Sequence, residues 1–528
     1  MNSILKKTFL PLAVLLLLAG LSAAQEKRAY KAPEFARNWS KPGQHPDHIV
    51  LNLTEDPATS MSITWRTDTT ISEGFAEIAL ATAAPRFWRN ASTLKAATQT
   101  LDASEVLTAE VVSNYHTVTF TGLQPDTLYA YRVGDGNIWS EWIQFRTASD
   151  KPKPFSFLYV GDAQNYILEL WSRLIREGYR KAPDASFIIH AGDLVSDAHS
   201  ERQWHEWFTA GGWIHRMLPS ISTPGNHEYS SINQAERQQR IRQLSVQWNP
   251  QFNLPQNGPE GLDETVYYID YQNTRIISLN SNRMQEEQAA WLEGVLSDNP
   301  QKWTVVTYHH PLFSASTGRD NKQLRERWKP LFDKYQVDIA LQGHDHTYAR
   351  GYETPDSQNL TAGMNVRDYA GTVYVVSVSG GKMYNLMGSW EEFGLDRKRG
   401  AENTQLFQLI EVNGDTLSFA AYTATGELYD AFDLIKQENG PNRVIERTDM
   451  AIAPRRHFNT ISYEDELPDG VAENLLKKYS GYEIDRVRYV AEEEFTGYYV
   501  QLEKGREAVS LTLDAAGEIL EEEVKGGR

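Results

Sequence analysis

Five short apolar runs between residues 155 and 346 each stop at residues able to bind a cation. FSFLYV ends in Gly161-Asp162-Ala163-Gln164, and ASFIIHA in Gly192-Asp193. LPSISTP ends in Gly225-Asn226-His227-Glu228, KWTVVTY in His309-His310-Pro311, and DIALQ in Gly343-His344-Asp345-His346. Singly, each has an ordinary explanation: Gly-Asp after a strand is a common turn, and a lone histidine there is a common packed residue. Five in one segment ask for a common cause. Carboxylates, an amide and imidazoles gathered together are the chemistry of a metal site. The chain has no cysteine, so thiolate ligation and disulfides are both excluded. The available oxygen and nitrogen donors suit borderline cations such as Zn(II), Fe or Mn(II). A glycine before the polar residue permits a sharp turn and a close approach of backbone to an ion.

These side chains need rigid elements to present them. From 155 to about 436, short buried strands alternate with helical patterns such as YILELWSRLIREGYRKA and EEQAAWLEGVLSDN, which argues for a layered α/β domain. Loops at the carboxyl ends of such strands are where open α/β folds place ligands. Before it, residues 48–148 show period-two alternation. Met61, Ile63 and Trp65 alternate with Ser62, Thr64 and Arg66, as in half-buried strands. Gly122-Leu123-x-Pro125-x-Thr127-x-Tyr129 resembles the turn and tyrosine corner of a fibronectin type III-like sandwich. After it, residues 457–528 include LPDGVAENLLKKYS, whose Val471, Leu475, Leu476 and Tyr479 share a helical face, followed by alternating strands. That tail resembles a small PepSY-like α+β module, with a regulatory, binding or purely stabilising role. Residues 228–262, rich in aromatics, Pro and Gly, form either a cleft-edge loop or a packed surface excursion.

The order Asp-x-x, Gly-Asp, Gly-Asn-His-Glu, His, Gly-His-x-His resembles the calcineurin-like metallophosphoesterases. The preceding sandwich and the stretch GHDHTYAR resemble the purple acid phosphatases among them. Over residues 48–436 the resemblance implies a four-layer αββα sandwich holding two divalent metal ions at the strand ends. It assigns Asp162 and His346 to the first ion, Asn226, His309 and His344 to the second, and Asp193 as the bridge between them. His227 is implied to contact phosphate near the leaving group, as transition-state stabiliser or general acid. Arg350 is left with two roles, a substrate contact or a structural ion pair, and Asp345 is expected to point away from the ions. Two departures matter. Purple acid phosphatases carry a tyrosine three residues after the bridging aspartate, where this chain has Ser196, and a glycine where it has Gln164. Gln164 is expected to lend its amide oxygen to the first ion, the alternative being a structural role. The implied reaction is hydrolysis of small-molecule phosphomonoesters by a metal-bound hydroxide, without the purple Fe(III)–tyrosinate centre. The same metal core allows a phosphodiesterase or pyrophosphatase. A non-catalytic surface-binding module is the reading from another class, disfavoured because all six shared ligand positions carry competent residues.

Composition bounds the rest. Lys6 and Lys7 precede an apolar run that ends in Ser22-Ala23-Ala24, the pattern of a signal peptide over residues 1–24. Export to a bacterial periplasm, cell surface or medium is expected, with no membrane span in the mature chain. Loss of the leader takes the net charge from −18 to −20, which disfavours nucleic acid as a partner.

Overall fold

The computed structural model describes residues 39–525 except 317–318, 355–364, 385, 387–389, 394, 439, 448–449, 451–466, 469, 493–494 and 505–506. The signal peptide expected over residues 1–24 lies outside the described residues. Two large sheets carry the site. In the first, Phe155–Val160, Ile188–His190 and Ser220–Ser222 run parallel. The antiparallel strands Leu406–Asn413, Thr416–Thr423, Leu428–Ile435 and Asn442–Glu446 extend one side. The second sheet has seven strands, with Thr274–Ser278, Trp303–Tyr308, Ile339–Gln342 and Val373–Val376 parallel at its centre.

Side-chain alternation makes these sheets into layers. Trp303, Val305, Ile339, Leu341, Val373 and Val375 join the large core that includes Phe157 and Tyr159 of the first sheet. Their neighbours Val306, Tyr308, Ala340, Tyr374 and Val376 pack instead with Leu292, Leu296, Trp328 and Phe332 of helices Gln285–Ser297 and Lys322–Tyr335. A strand buried on both faces reads as a continuous apolar run for this reason. On the far side, helix Ser172–Lys181 buries Leu174, Ile175 and Gly178, the last facing Leu158 and Phe407. The architecture is helix, sheet, sheet, helix, the four-layer αββα arrangement.

The N-terminal strands are not a free-standing sandwich. Asp47–Asn52 pairs in parallel with Ser220–Ser222 at Asn52 and Ser220, so the first sheet runs on through Met61–Thr67, Val111–Phe120 and Ala97–Ala103. Strand Met61–Thr67 is buried at every position, which corrects the half-buried expectation. Its polar alternates are covered too: Ser62 Oγ accepts from Asn253 at 2.6 Å, and Arg66 is bidentate on Asp47 at 2.6 and 2.8 Å. The tyrosine corner forms, with the Gln124 amide donating to the Tyr129 hydroxyl at 2.9 Å. The C-terminal tail is a helix, Val471–Lys478, with four antiparallel strands around its own core of Val471, Leu475, Val500, Leu502, Val509, Leu511 and Leu513. Among the described residues no helix is long and apolar enough to cross a membrane.

Candidate metal centre

The five motifs converge at the carboxyl ends of the parallel strands. His309 Nε2 is the focus of one group, 3.1 Å from Asp193 Oδ2, 3.2 Å from Asn226 Oδ1 and 3.1 Å from His344 Nδ1. Asp162, Asp193 and His346 form a second, their ligand atoms all within 4.8 Å of one another. Asp193 belongs to both groups, as a bridge must. The backbone is bent hard to achieve this. Asp162, Asp193, His344 and His346 all take positive φ, at 49°, 53°, 76° and 50°. Such conformations cost about 1–3 kcal/mol each for non-glycine residues and collect at functional sites. Gly343 is required by close approach, since a Cβ there would lie 2.5 Å from Asp162 Oδ2.

Each ligand is held from behind. The Nδ1–H groups of His309 and His346 donate to the carbonyls of Ala191 and Lys382, both at 2.9 Å, which leaves each Nε2 lone pair for an ion. Glu228, fully buried, accepts from the amides of Gly225 at 2.6 Å and of Asp193 and Leu194 at 2.8 Å. It thereby ties the loop bearing Asp193 to the loop bearing Asn226. Asp345 turns away from both groups, accepting from Ser314 Oγ at 2.8 Å and the Ala315 amide at 2.6 Å.

Gln164 lies within this cluster and is buried, its amide nitrogen donating to Asp193 Oδ2 at 2.7 Å. That bond orients the amide and leaves Oε1 buried with no hydrogen-bond partner. An orphaned buried acceptor costs about 1–3 kcal/mol, and a cation would satisfy it. The electrostatics agree. Burial pushes the Asp162 carboxyl well up, with Asp193 adding to the shift and His309 opposing it. Burial also raises Asp193, but His309 and His227 outweigh that and hold it well below the usual range. His309 is raised to about 9 against its own burial, chiefly by Asp193. Burial lowers His344 and His346, keeping them neutral. The same two buried carboxylates that raise His309 draw positive charge into a pocket where His344 and His346 are neutral, and the donor set fits two divalent ions.

Over these ligands opens a cavity of about 410 Å³, lined by Asn226, His227, Arg319, His344, Lys382 and Tyr384 among others. His227 Nδ1–H donates to the Ser196 carbonyl at 2.6 Å, and its backbone amide to Asp193 Oδ1 at 2.8 Å. Arg350, in contrast, is not at the cavity. Its guanidinium is 1% exposed and is bidentate on Asp430 at 2.6 and 2.9 Å, with Glu446 at 2.8 Å. The possible substrate contact is thus corrected to the structural ion pair, because every donor face is spent on carboxylates of the other sheet. Within 228–262, Trp248, Phe252 and Leu254 are buried core, whereas Arg242 donates to the Asn226 carbonyl at 2.6 Å. Arg319, Lys382 and the anchoring role of Glu228 had no periodic signal. Only the position of Glu228 directly after Asn226-His227 hinted at it.

Comparison with known proteins agrees with this geometry. Residues 46–147 match the purple acid phosphatase N-terminal domain, and residues 155–348 the calcineurin-like phosphoesterase domain. An uncharacterised protein of Mycobacterium tuberculosis is 26% identical over 341 residues, 58% of this chain and 62% of that one. The Fe(3+)-Zn(2+) purple acid phosphatase 12 of Arabidopsis thaliana is 24% identical over 291 residues, 52% of this chain and 60% of that one. The chain thus spans about three fifths of the length of these curated relatives. A purple acid phosphatase from yellow lupin (Lupinus luteus) seeds shares the fold, with a TM-score of 0.60, 19% identity and 75% of each chain covered.

Proposed function

We propose that this chain, a calcineurin-like phosphoesterase carrying the purple acid phosphatase N-terminal domain, hydrolyses phosphomonoesters at a two-cation centre. The observation that carries the reading is the convergence of Asp193 Oδ2, Asn226 Oδ1 and His344 Nδ1 on His309 Nε2, at 3.1–3.2 Å. Two bound divalent ions supply Lewis-acid neutralisation of phosphoryl oxygens and an acidified water as nucleophile. Asp162, Gln164 and His346 would hold the first, Asn226, His309 and His344 the second, and Asp193 both. The protein's own steps concern charge and protons. His227, fixed through Nδ1 by the Ser196 carbonyl, turns Nε2 to the cavity. When protonated there, it donates that proton to the departing ester oxygen as the P–O bond breaks.

Ser196 supports a colourless enzyme. Its hydroxyl is engaged by Asn165 Oδ1 and offers no phenolate to ferric iron. The substrate class is read by supplying purified protein with Mn(II), Zn(II) or Fe(II) in turn. The assay compares an aryl phosphomonoester with its diester, before and after a chelator. Monoester preference lost with the chelator is expected. Diester preference would move the substrate class while keeping the metals, and chelator-resistant turnover would refute the site. Export is proposed from the leader pattern, and mass spectrometry showing a secreted chain that begins at Gln25 would establish it.

A further inference from the structure

We infer that Arg319 and Lys382 form a cationic rim that selects dianionic phosphomonoesters, with Asp345 holding Arg319 in place; the inference rests on the phosphoesterase reading above. Both side chains line the cavity beside His227 and His346. They flank one ring: the Arg319 guanidinium is 5.1 Å and the Lys382 ammonium 5.4 Å from the centroid of Tyr384. That ring is itself set edge-on to His346 at 4.8 Å, and the Tyr384 amide donates to the His346 carbonyl at 3.0 Å. The two cations are therefore indexed to a metal ligand rather than loose on the surface.

Their charge is available. Lys382 has no carboxylate partner among the described residues. Arg319 meets Asp345 Oδ1 through Nε at 3.3 Å, while Nη2 donates to His344 Nε2 at 2.5 Å and to the His344 carbonyl at 3.1 Å. A neutral imidazole has a single lone-pair nitrogen. When His344 offers Nδ1 to an ion, its Nε2 carries the proton and can no longer accept from Arg319. One N–H of Nη2 is then freed toward the cavity while the other stays on the His344 carbonyl. Asp345 explains why the cation sits there at all: the acid between the two histidines also anchors Ser314 and Ala315, the start of the loop that ends in Arg319. Asp320, which lines the cavity with the candidate ligand Asp193, is paired with Arg325 at 2.6 Å.

The physical need is plain. A chain of net charge −18 repels anions, so an anionic substrate requires a local field of the opposite sign. A monoester carries two charges near neutral pH and a diester one, so two extra cations favour the monoester.

The test uses full-length protein, wild type beside Arg319→Ala, Arg319→Lys and Lys382→Gln. Binding of inorganic phosphate is measured by calorimetry on Mn(II)-loaded and metal-free protein, and kcat and KM on an aryl monoester and its diester. Circular dichroism checks the fold. A lost charge-assisted hydrogen bond predicts about tenfold weaker phosphate binding and about tenfold higher monoester KM in Arg319→Ala, with diester KM moved much less. Arg319→Lys should fall between. If wild type turns over monoester while Arg319→Ala and Lys382→Gln keep phosphate affinity and the monoester-to-diester ratio within twofold, the rim is overturned and the hydrolase reading stands. If wild type cleaves neither ester yet binds phosphate in an Arg319-dependent way, the hydrolase reading falls and the rim survives.

Discussion

Replacing Arg350 by methionine should unfold this protein more readily without touching its cavity. The guanidinium lies on strand Tyr348–Glu353 of the second sheet, and its partners Asp430 and Glu446 lie on Leu428–Ile435 and Asn442–Glu446 of the first. It is a cross-sheet staple in the layer between them. The Asp430 side chain is 4% exposed and that of Glu446 37%, so the two halves of the pair are unequal. Removing the cation leaves the Asp430 carboxylate with the Tyr348 hydroxyl, at 2.7 Å, as its remaining side-chain partner among the described residues. Breaking a buried pair in this way costs about 3–5 kcal/mol, whereas a half-exposed partner such as Glu446 adds no more than about 1 kcal/mol. Arg350→Met/Asp430→Asn, which removes the stranded charge, should recover at least about 2 kcal/mol of that loss. Urea unfolding followed by tryptophan fluorescence reads both variants, and KM for an aryl phosphomonoester is read on the folded protein. KM within twofold of wild type is expected, because no arm of Arg350 reaches the cavity. A variant as stable as wild type, or one that folds normally but shows a tenfold higher KM, would refute the staple and restore Arg350 to the substrate.

Three other outcomes follow from the same geometry. Asn226→Ala should cut turnover by at least about 100-fold and lower the bound metal per chain while the circular dichroism spectrum is unchanged; wild-type turnover would sink the two-ion assignment. Gln164→Ala should weaken binding of one of the two ions by about 10–100-fold, since it removes both the orphaned oxygen and the bond that orients Asp193. Metal titration that cannot tell it from wild type would make Gln164 structural. Glu264 is pushed up to about 7 by burial, with the Gln256 amide only partly opposing. A carboxyl raised in the folded state binds its proton there over a pH range in which the unfolded chain does not, so its burial destabilises the protein as pH rises through about 7. Glu264→Gln should therefore raise stability by up to about 3 kcal/mol at pH 8 and by almost nothing near pH 4. A gain that is equal at both would assign it to packing.

What the sequence carried, and what it withheld, divides along a physical line. The candidate ligands that the structure gathers were legible because a strand end is a local event: in most cases an apolar run, a glycine that lets the backbone turn, then a donor. Asp162, Asp193, Asn226 and His344 each follow that grammar, His346 comes two residues after His344, and His309 follows its apolar run directly without a glycine; the fold then brings the strand ends together. The four layers were legible for a related reason, since strands covered on both faces must be apolar at consecutive positions. Arg350 shows the limit. It stands four residues after His346, close enough in sequence to suggest a shared task, but on a strand that carries it away from the ligand loops and into the space between the sheets. Its partners at Asp430 and Glu446 lie 80 and 96 residues on, and pairing across sheets leaves no trace in local pattern. The continuity of the N-terminal strands with the central sheet was hidden likewise, because it depends on Asn52 meeting Ser220. Arg319 and Lys382 fall between these cases. Each stands by a local anchor, Arg319 by its ion pair with Asp345 and Lys382 by its carbonyl's bond to His346. In both, the anchor is a metal ligand or the residue beside one, so the residues that hold the ions also place the groups that face the substrate. On the proposed reading, metal binding and substrate selection are coupled, and a change that loosens the ligands should blur a monoester preference before it abolishes turnover.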